Sequence, residues 1–222
     1  FIEINKDSKN NIWVGTWLGL TQFDNNQWTR YTNSDQSTFS QGVYCLKTDA
    51  NENIWVGTDI GVMNINSDTT IMYSLKKGSS PIYTNDFDID AEGNIWVCSN
   101  NGLYTKRDSS WIHYTNQNGL PDNLILAIAI DNDNNKWLGT AYGLVKFDGI
   151  NVTIFDKNDG LVDNYVTDIV IDSYGNKWIG TMNGVSAFNE NGVDLSNFPP
   201  MKLRPDTSIT IKGLVYLDID SN

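Results

Sequence analysis

Short apolar runs alternate with breaks rich in Asp, Asn and Gly along the whole chain, and the runs have the length of β-strands rather than helices. The order is plainest between residues 119 and 164. Leu124 to Asp131 (LILAIAID) is apolar on both faces, which predicts a strand covered on both sides. Asp131-Asn132-Asp133-Asn134-Asn135 then predicts a tight turn, because these side chains bond their own backbone and tolerate positive φ. Lys136 to Thr140 is a second strand carrying Trp137, and after two residues Gly143-Leu144-Val145-Lys146-Phe147 is a third. A fourth, outer strand ends on Phe155. The connectors Gly119-Leu120-Pro121-Asp122-Asn123 and Gly160-Leu161-Val162-Asp163-Asn164 carry the chain into the next copy.

That four-strand pattern recurs. Trp13, Trp55, Trp96, Trp137 and Trp178 are separated by 42, 41, 41 and 41 residues. Asp stands six before each Trp (Asp7, Asp49, Asp90, Asp131, Asp172) and Asn two before (Asn11, Asn53, Asn94, Asn135, Asn176). Gly follows six after (Gly19, Gly61, Gly102, Gly143, Gly184), and Thr or Ser three after (Thr16, Thr58, Ser99, Thr140, Thr181). A period near 41 in strand-rich sequence predicts an all-β fold, a β-propeller of four-stranded antiparallel blades. Five repeats are visible, forming a closed five-bladed ring or an arc of a larger one. The expected blades are 1–39, 40–80, 81–120, 121–161 and 162–200, with 201–222 as an extension or the start of a next module. Outer strands should end on Tyr31, Tyr73, Tyr114, Phe155 and Phe198. Trp and the Gly two residues on share a face, so the indole is expected to cover a glycine-lined gap between adjacent blades. At the turn position three before Trp, only Glu52 is awkward among Asn10, Gly93, Asn134 and Gly175.

Eight Trp and ten Tyr supply ample bulk for a packed core, which excludes a disordered reading. The net charge of −12 repels phosphate backbones and anionic lipid, so nucleic acid and direct membrane insertion are not expected. Cys45 and Cys98 occupy non-equivalent positions, and Cys98 replaces the Gly two after Trp, so a disulfide framework is not expected. No run of 18 apolar residues and no signal peptide is present, and the chain begins at Phe1, which reads as a piece of a longer protein.

The copy NKWLGTAYGLVKFDG, preceded by GLPDN, resembles the two-component regulator propeller repeat. All five copies match its Trp-x-Gly-Thr and Gly-Leu/Val elements except at Cys98 and Ser99. The resemblance implies a blade of an extracytoplasmic sensor region, periplasmic or extracellular in a bacterium, and a family that usually closes with seven blades. It implies nothing about a ligand site, because the matching positions build blades. The terminal VYLDIDSN is similar to the opening of secreted Ig-like adhesin modules.

No catalytic apparatus, metal site or cofactor is expected. Counted from Asp131, a calcium loop would need Gly at Lys136 and Glu at Tyr142. His113 is the only histidine and falls on an outer strand, which argues against the histidine-dependent streptogramin lyases. Informative positions are those where the copies disagree: the two residues between the fixed Thr/Ser and Gly. They are Trp17-Leu18, Asp59-Ile60, Asn100-Asn101, Ala141-Tyr142 and Met182-Asn183. In a propeller these loops share a face with the connectors, here near Gln41, Tyr83, Asn85, Asn123 and Asn164. Aromatic and amide side chains around a depression suit a glycan or another small polar ligand, or a protein partner. Trp17, Asp59, Asn101, Tyr142 and Asn183 are the expected ligand-binding residues. The expected function is a non-enzymatic ligand- or partner-binding sensor module. The alternative is a structural or adhesive segment of a secreted protein, and a propeller lyase or hydrolase ranks below both.

Overall fold

A computed structural model describes residues 3–24, 26–31, 42–66, 69–77, 80–107, 110–193, 210–211 and 214–217. The chain divides into two compact units, Phe1–His113 and Tyr114–Asn222. Every sheet is antiparallel, and in four of the five blade sheets the strands follow chain order. The first contains β1 (Glu3–Lys6), β2 (Ile12–Thr16), β3 (Gly19–Asp24) and β4 (Gln27–Tyr31). The second contains β5 (Val43–Thr48), β6 (Ile54–Thr58), β7 (Gly61–Ile65) and β8 (Thr70–Ser74), followed by the small pair β9 (Lys76–Lys77) and β10 (Ser80–Pro81). The third contains β11 (Thr84–Ile89), β12 (Ile95–Ser99), β13 (Gly102–Arg107) and β14 (Ser110–Tyr114). In the second unit, β15 (Ile125–Ile130), β16 (Lys136–Thr140), β17 (Gly143–Phe147) and β18 (Val152–Phe155) form one sheet. The last is built from β19 (Val166–Ile171), β20 (Lys177–Thr181), β21 (Gly184–Phe188), β22 (Thr210–Ile211) and β23 (Leu214–Leu217). These all-β sheets are propeller blades.

The fifth sheet differs from the pattern read in the sequence. Phe198, the expected end of its outer strand, lies outside the described residues. The place beside β21 is taken by β23, in the register Val185↔Leu217 to Phe188↔Leu214, with β22 beyond it.

One carboxylate organises each turn between the first two strands. In every sheet the indole N–H donates to the Asp six residues earlier, at 2.8 to 3.0 Å. The same Asp accepts the backbone N–H of the Asn four residues on, and that Asn side chain donates to it as well. Two backbone bonds close the loop, as in Asn134 N–H to Asp131 C=O at 2.9 Å and Asp131 N–H to Asn135 C=O at 3.0 Å. The repeated Asp, Asn and Trp are therefore one hydrogen-bonded unit. Its left-handed position is filled by Asn10, Glu52, Gly93, Asn134 and Gly175, with Glu52 at φ 67°. A Glu there is strained, since only Gly and, less often, Asn or Asp visit this region routinely.

Clamped in this way, Trp13 and Trp137 cover the gap to the sheet that follows each. Trp13 packs with Val43, Leu46 and Val56 of the next sheet, and Trp137 with Val166, Ile169 and Ile179. The glycines permit the approach. A Cβ on Gly15 would stand 2.3 Å from Val43 Cγ1, and one on Gly139 would stand 2.9 Å from Val166 Cγ1. Outer-strand aromatics close over the indoles, Tyr31 on Trp13 at 5.0 Å and Phe155 on Trp137 at 5.9 Å. In the second unit Lys177 and Lys146 sit over Trp137 at 4.7 and 5.4 Å and both pair with Glu190. Cys45 and Cys98 are buried free thiols.

Three outcomes are expected. Trp137→Ala should lower the unfolding free energy by about 3 to 5 kcal/mol in urea titration. Glu52→Gly should raise it by about 1 kcal/mol by relieving the left-handed strain, with the exposed bond from Ser8 Oγ to Glu52 lost in return. The third concerns pH. Burial pushes the carboxyls of Asp7, Asp49, Asp131 and Asp172 up, but the Trp and Asn donors outweigh it and hold them below the ordinary 3.8. An acid whose folded value is depressed stabilises the fold above its unfolded value and loses that contribution as pH falls below it. Asp131→Ala should therefore cost on the order of 3 kcal/mol at pH 7, and the difference from the parent should shrink as pH falls below about 3.8. A difference that is constant down to pH 2 would contradict the clamp.

Candidate functional site

A second repeated device fixes the turn between the second and third strands. The Thr or Ser ending the second strand donates its hydroxyl to the carbonyl of the Gly three residues on, at 2.7 to 3.1 Å. The same hydroxyl oxygen accepts the backbone N–H of the second tip residue, at 3.0 to 3.3 Å. Positive φ falls on the Gly, for example 133° at Gly61 and 140° at Gly143, where a Cβ would meet backbone oxygen at 2.2 and 2.3 Å. Both tip residues are therefore released from backbone constraint. The turn holds its shape whatever side chains it carries.

In the first unit the tips bring an aromatic group together. Trp17, 56% exposed, meets Tyr44 edge to face at 5.4 Å and 87°. Gly42 lies beneath both; a Cβ there would be 3.0 Å from Trp17 Cε3 and 3.3 Å from Tyr44 Oη. Asp59 and Tyr83 lie within electrostatic range of the Tyr44 hydroxyl, which is raised first by burial and then by those two groups. Tyr83 is half-exposed, and its backbone exchanges bonds with Asn100. Asp59 Oδ1 is shut off from solvent and has no hydrogen-bond partner. Burial pushes this carboxyl above its ordinary range, opposed only by the residue's own backbone N–H.

Tyr44 is absent from the residues expected from sequence, and the reason is a bulge. Pairing between β5 and β6 passes from Val43↔Thr58 to Cys45↔Gly57, leaving Tyr44 as an extra residue. The same shift occurs at the start of β11, β15 and β19. A bulge re-aims the side chain it carries, so strict alternation does not place Tyr44 at the tips. The one available signal is a tyrosine where the equivalent residues are Asn85, Leu126 and Thr167.

Asn101 corrects an expectation. It is 8% exposed, and its amide donates to Tyr104 Oη at 2.9 Å instead of facing solvent. His113 completes this network: its ring stacks on Tyr104 at 4.0 Å, with Nε2 2.6 Å from the Asn101 carbonyl oxygen. The amide is committed inside its own blade.

In the second unit Tyr142 and Met182 project into solvent, at 66% and 68% exposure. Asn183 is exposed and donates to Asp163, whose carboxyl is held low first by the Tyr165 backbone N–H and then by Asn183. Asn123 and Asn164 are not presented to a ligand, since each accepts a backbone N–H, from Asn116 and Lys157, at 2.8 Å. Gln41 lies outside the described residues, and Asn85 has partners of its own.

A cleft of about 410 Å³ also opens in the first unit, lined by Asp7, Trp13, Gln22, Tyr31, Glu52 and neighbouring amides. Its polar atoms are consumed by the blade, Trp13 bonding Asp7 and Tyr31 bonding Gln22. Among the described residues no group of three His, Cys, Asp or Glu is set to hold a metal, and no helix is long and apolar enough to cross a membrane.

Comparison with solved structures places the architecture. The extracellular domain of the hybrid two component system BT3049 from B. thetaiotaomicron superposes with a TM-score of 0.73 at 23% identity, over 92% of this chain and 29% of that one. The chain thus spans less than a third of that protein domain's length. Virginiamycin B lyase from Staphylococcus aureus aligns with a TM-score of 0.70 at 16% identity, over 86% of this chain and 67% of that one. PorZ, a surface component of the type-IX secretion system of Porphyromonas gingivalis, aligns at 0.63 and 18%, over 86% and 32%. At these identities the likeness speaks to the fold. No curated protein matches the chain by sequence. Residues 160–183 match the family described as two component regulator propeller, and the four other copies keep the same register of Asp, Asn, Trp and Gly.

Proposed function

We propose that this chain is a non-enzymatic binding module of an extracytoplasmic bacterial protein, a sensor part that recognises a small polar ligand, a glycan or a partner domain through its blade tips. One observation carries the reading. Residues that repeat are consumed in the two hydrogen-bonded turns, whereas at three of the five tips a varying residue is turned outward, as Trp17, Tyr142 and Met182. Large exposed aromatics on rigid turns are effective recognition groups, because little side-chain entropy is lost on binding. Asp59 and Asn183 supply polar selectivity beside them, and Asn101 supports its turn from within. Similarity to BT3049, whose described part is the extracellular domain of a two component system, supports a periplasmic or extracellular setting.

The lyase fold likeness does not favour catalysis here. His113 is committed to Tyr104 and Asn101, and no second histidine exists. A second reading, a structural segment of a secreted protein, is favoured by the likeness to the surface component PorZ.

Glycan-array and thermal-shift screening distinguish the two readings. The sensor reading expects at least one ligand that raises the melting temperature. Trp17→Ala should weaken a ligand of the first unit, and Tyr142→Ala a ligand of the second, at least tenfold while leaving the unliganded melting temperature within about 2 °C, because both side chains are largely solvated. A ligand indifferent to both substitutions would move recognition away from the tips, and a chain that registers nothing on either screen would favour the structural reading.

A further inference from the structure

The tip group of the first unit has a chemistry more specific than general polarity. Tyr44 meets Trp17 edge to face, follows Val43, which pairs with Thr58 next to Asp59, and lies within electrostatic range of Asp59 and Tyr83, while Asp59 Oδ1 is closed to solvent and without a partner. An orphaned carboxylate oxygen is costly in an isolated fold, and it becomes favourable when a donor arrives to bond it. Aromatic faces select the kind of donor. Their negative quadrupole attracts a cation, and a neighbouring carboxylate adds a charge-assisted bond. Among the described residues no Lys or Arg is ion-paired with Asp59, which leaves that position to a ligand. The chain's net charge of −12 favours the approach of a cation over that of an anion.

We propose that Trp17, Tyr44, Asp59 and Tyr83 form a receptor for a protonated amine, so that the ligand, or the part of it seated here, carries an ammonium group. Asp59 accepts the N–H bond, Trp17 and Tyr83 flank the charge, and Tyr44 forms the inner wall. Gly42 lets Trp17 and Tyr44 pack down onto the backbone, because a Cβ would press on both and displace the rings. This inference rests on the reading of the blade tips as a recognition surface, and it narrows the ligand class at the first unit.

The test uses the chain as it stands and three small probes of similar size: glucosamine, which carries an ammonium, and the neutral N-acetylglucosamine and glucose. Binding is followed by the Trp17 indole N–H resonance, assigned by its loss in Trp17→Phe. Glucosamine should shift this resonance saturably and bind at least tenfold more tightly than either neutral sugar. Asp59→Asn should abolish the preference without lowering the melting temperature, since it removes the charge from a partly buried carboxyl whose Oδ1 has no donor. Gly42→Ala, which displaces the rings and spares the carboxylate, should weaken glucosamine. Equal binding of all three probes, or a preference that survives Asp59→Asn, would overturn the amine inference while leaving tip recognition intact. Absence of any shift with glucosamine would also overturn it, and the glycan screen with Trp17→Ala would still decide the broader reading on its own.

Discussion

The bond from an indole N–H to an aspartate six residues earlier recurs in all five blades and fixes the first turn of each. A tryptophan is useful between blades because it covers a large apolar area, but its N–H cannot be left dry. The aspartate resolves this and closes the turn through the following asparagine at the same time. One carboxylate thus sets the turn and the rotamer of the residue that seals the gap. The glycine two residues after the indole then becomes necessary, since Gly15 and Gly139 stand against valines of the next blade at distances no Cβ would tolerate.

The turn at the opposite end of the second strand follows a different logic. There the turn is closed by a hydroxyl, a glycine and one backbone N–H, and closure calls on no side chain of the two residues between them. Conserved architecture and variable chemistry are separated within seven residues of sequence. This separation lets Trp17-Leu18 and Ala141-Tyr142 occupy equivalent turns with unlike side chains. It also lets a partly buried acid, Asp59, persist without disturbing the blade around it.

Most of the fold was legible because period, turn chemistry and strand alternation agree. The span Lys136–Thr140 and the pairing of Gly143–Phe147 follow directly from where Asp131, Trp137 and Gly143 stand. The awkward fit of Glu52 in its turn was visible for the same reason, and its φ of 67° is the physical result. Features that break periodicity were not legible. Tyr44 escapes because a bulge takes it out of alternation, and Asn101 deceives because its neighbours Tyr104 and His113 turn it inward. Neither effect leaves a trace in the spacing of the repeats. The outer strand of the fifth sheet was hidden in another way, since β23 comes from well beyond the repeat it completes.

That distant strand carries a cost of its own. In the other sheets the third and fourth strands are joined by two to four residues, whereas residues 189–213 separate β21 from β23. Closing the longer connection carries an extra entropic penalty of about 2 kcal/mol before any ladder bond rewards it. The fifth sheet therefore closes its outer edge at a higher entropic cost than the other four, with a strand that acts as a clasp brought from beyond the repeat.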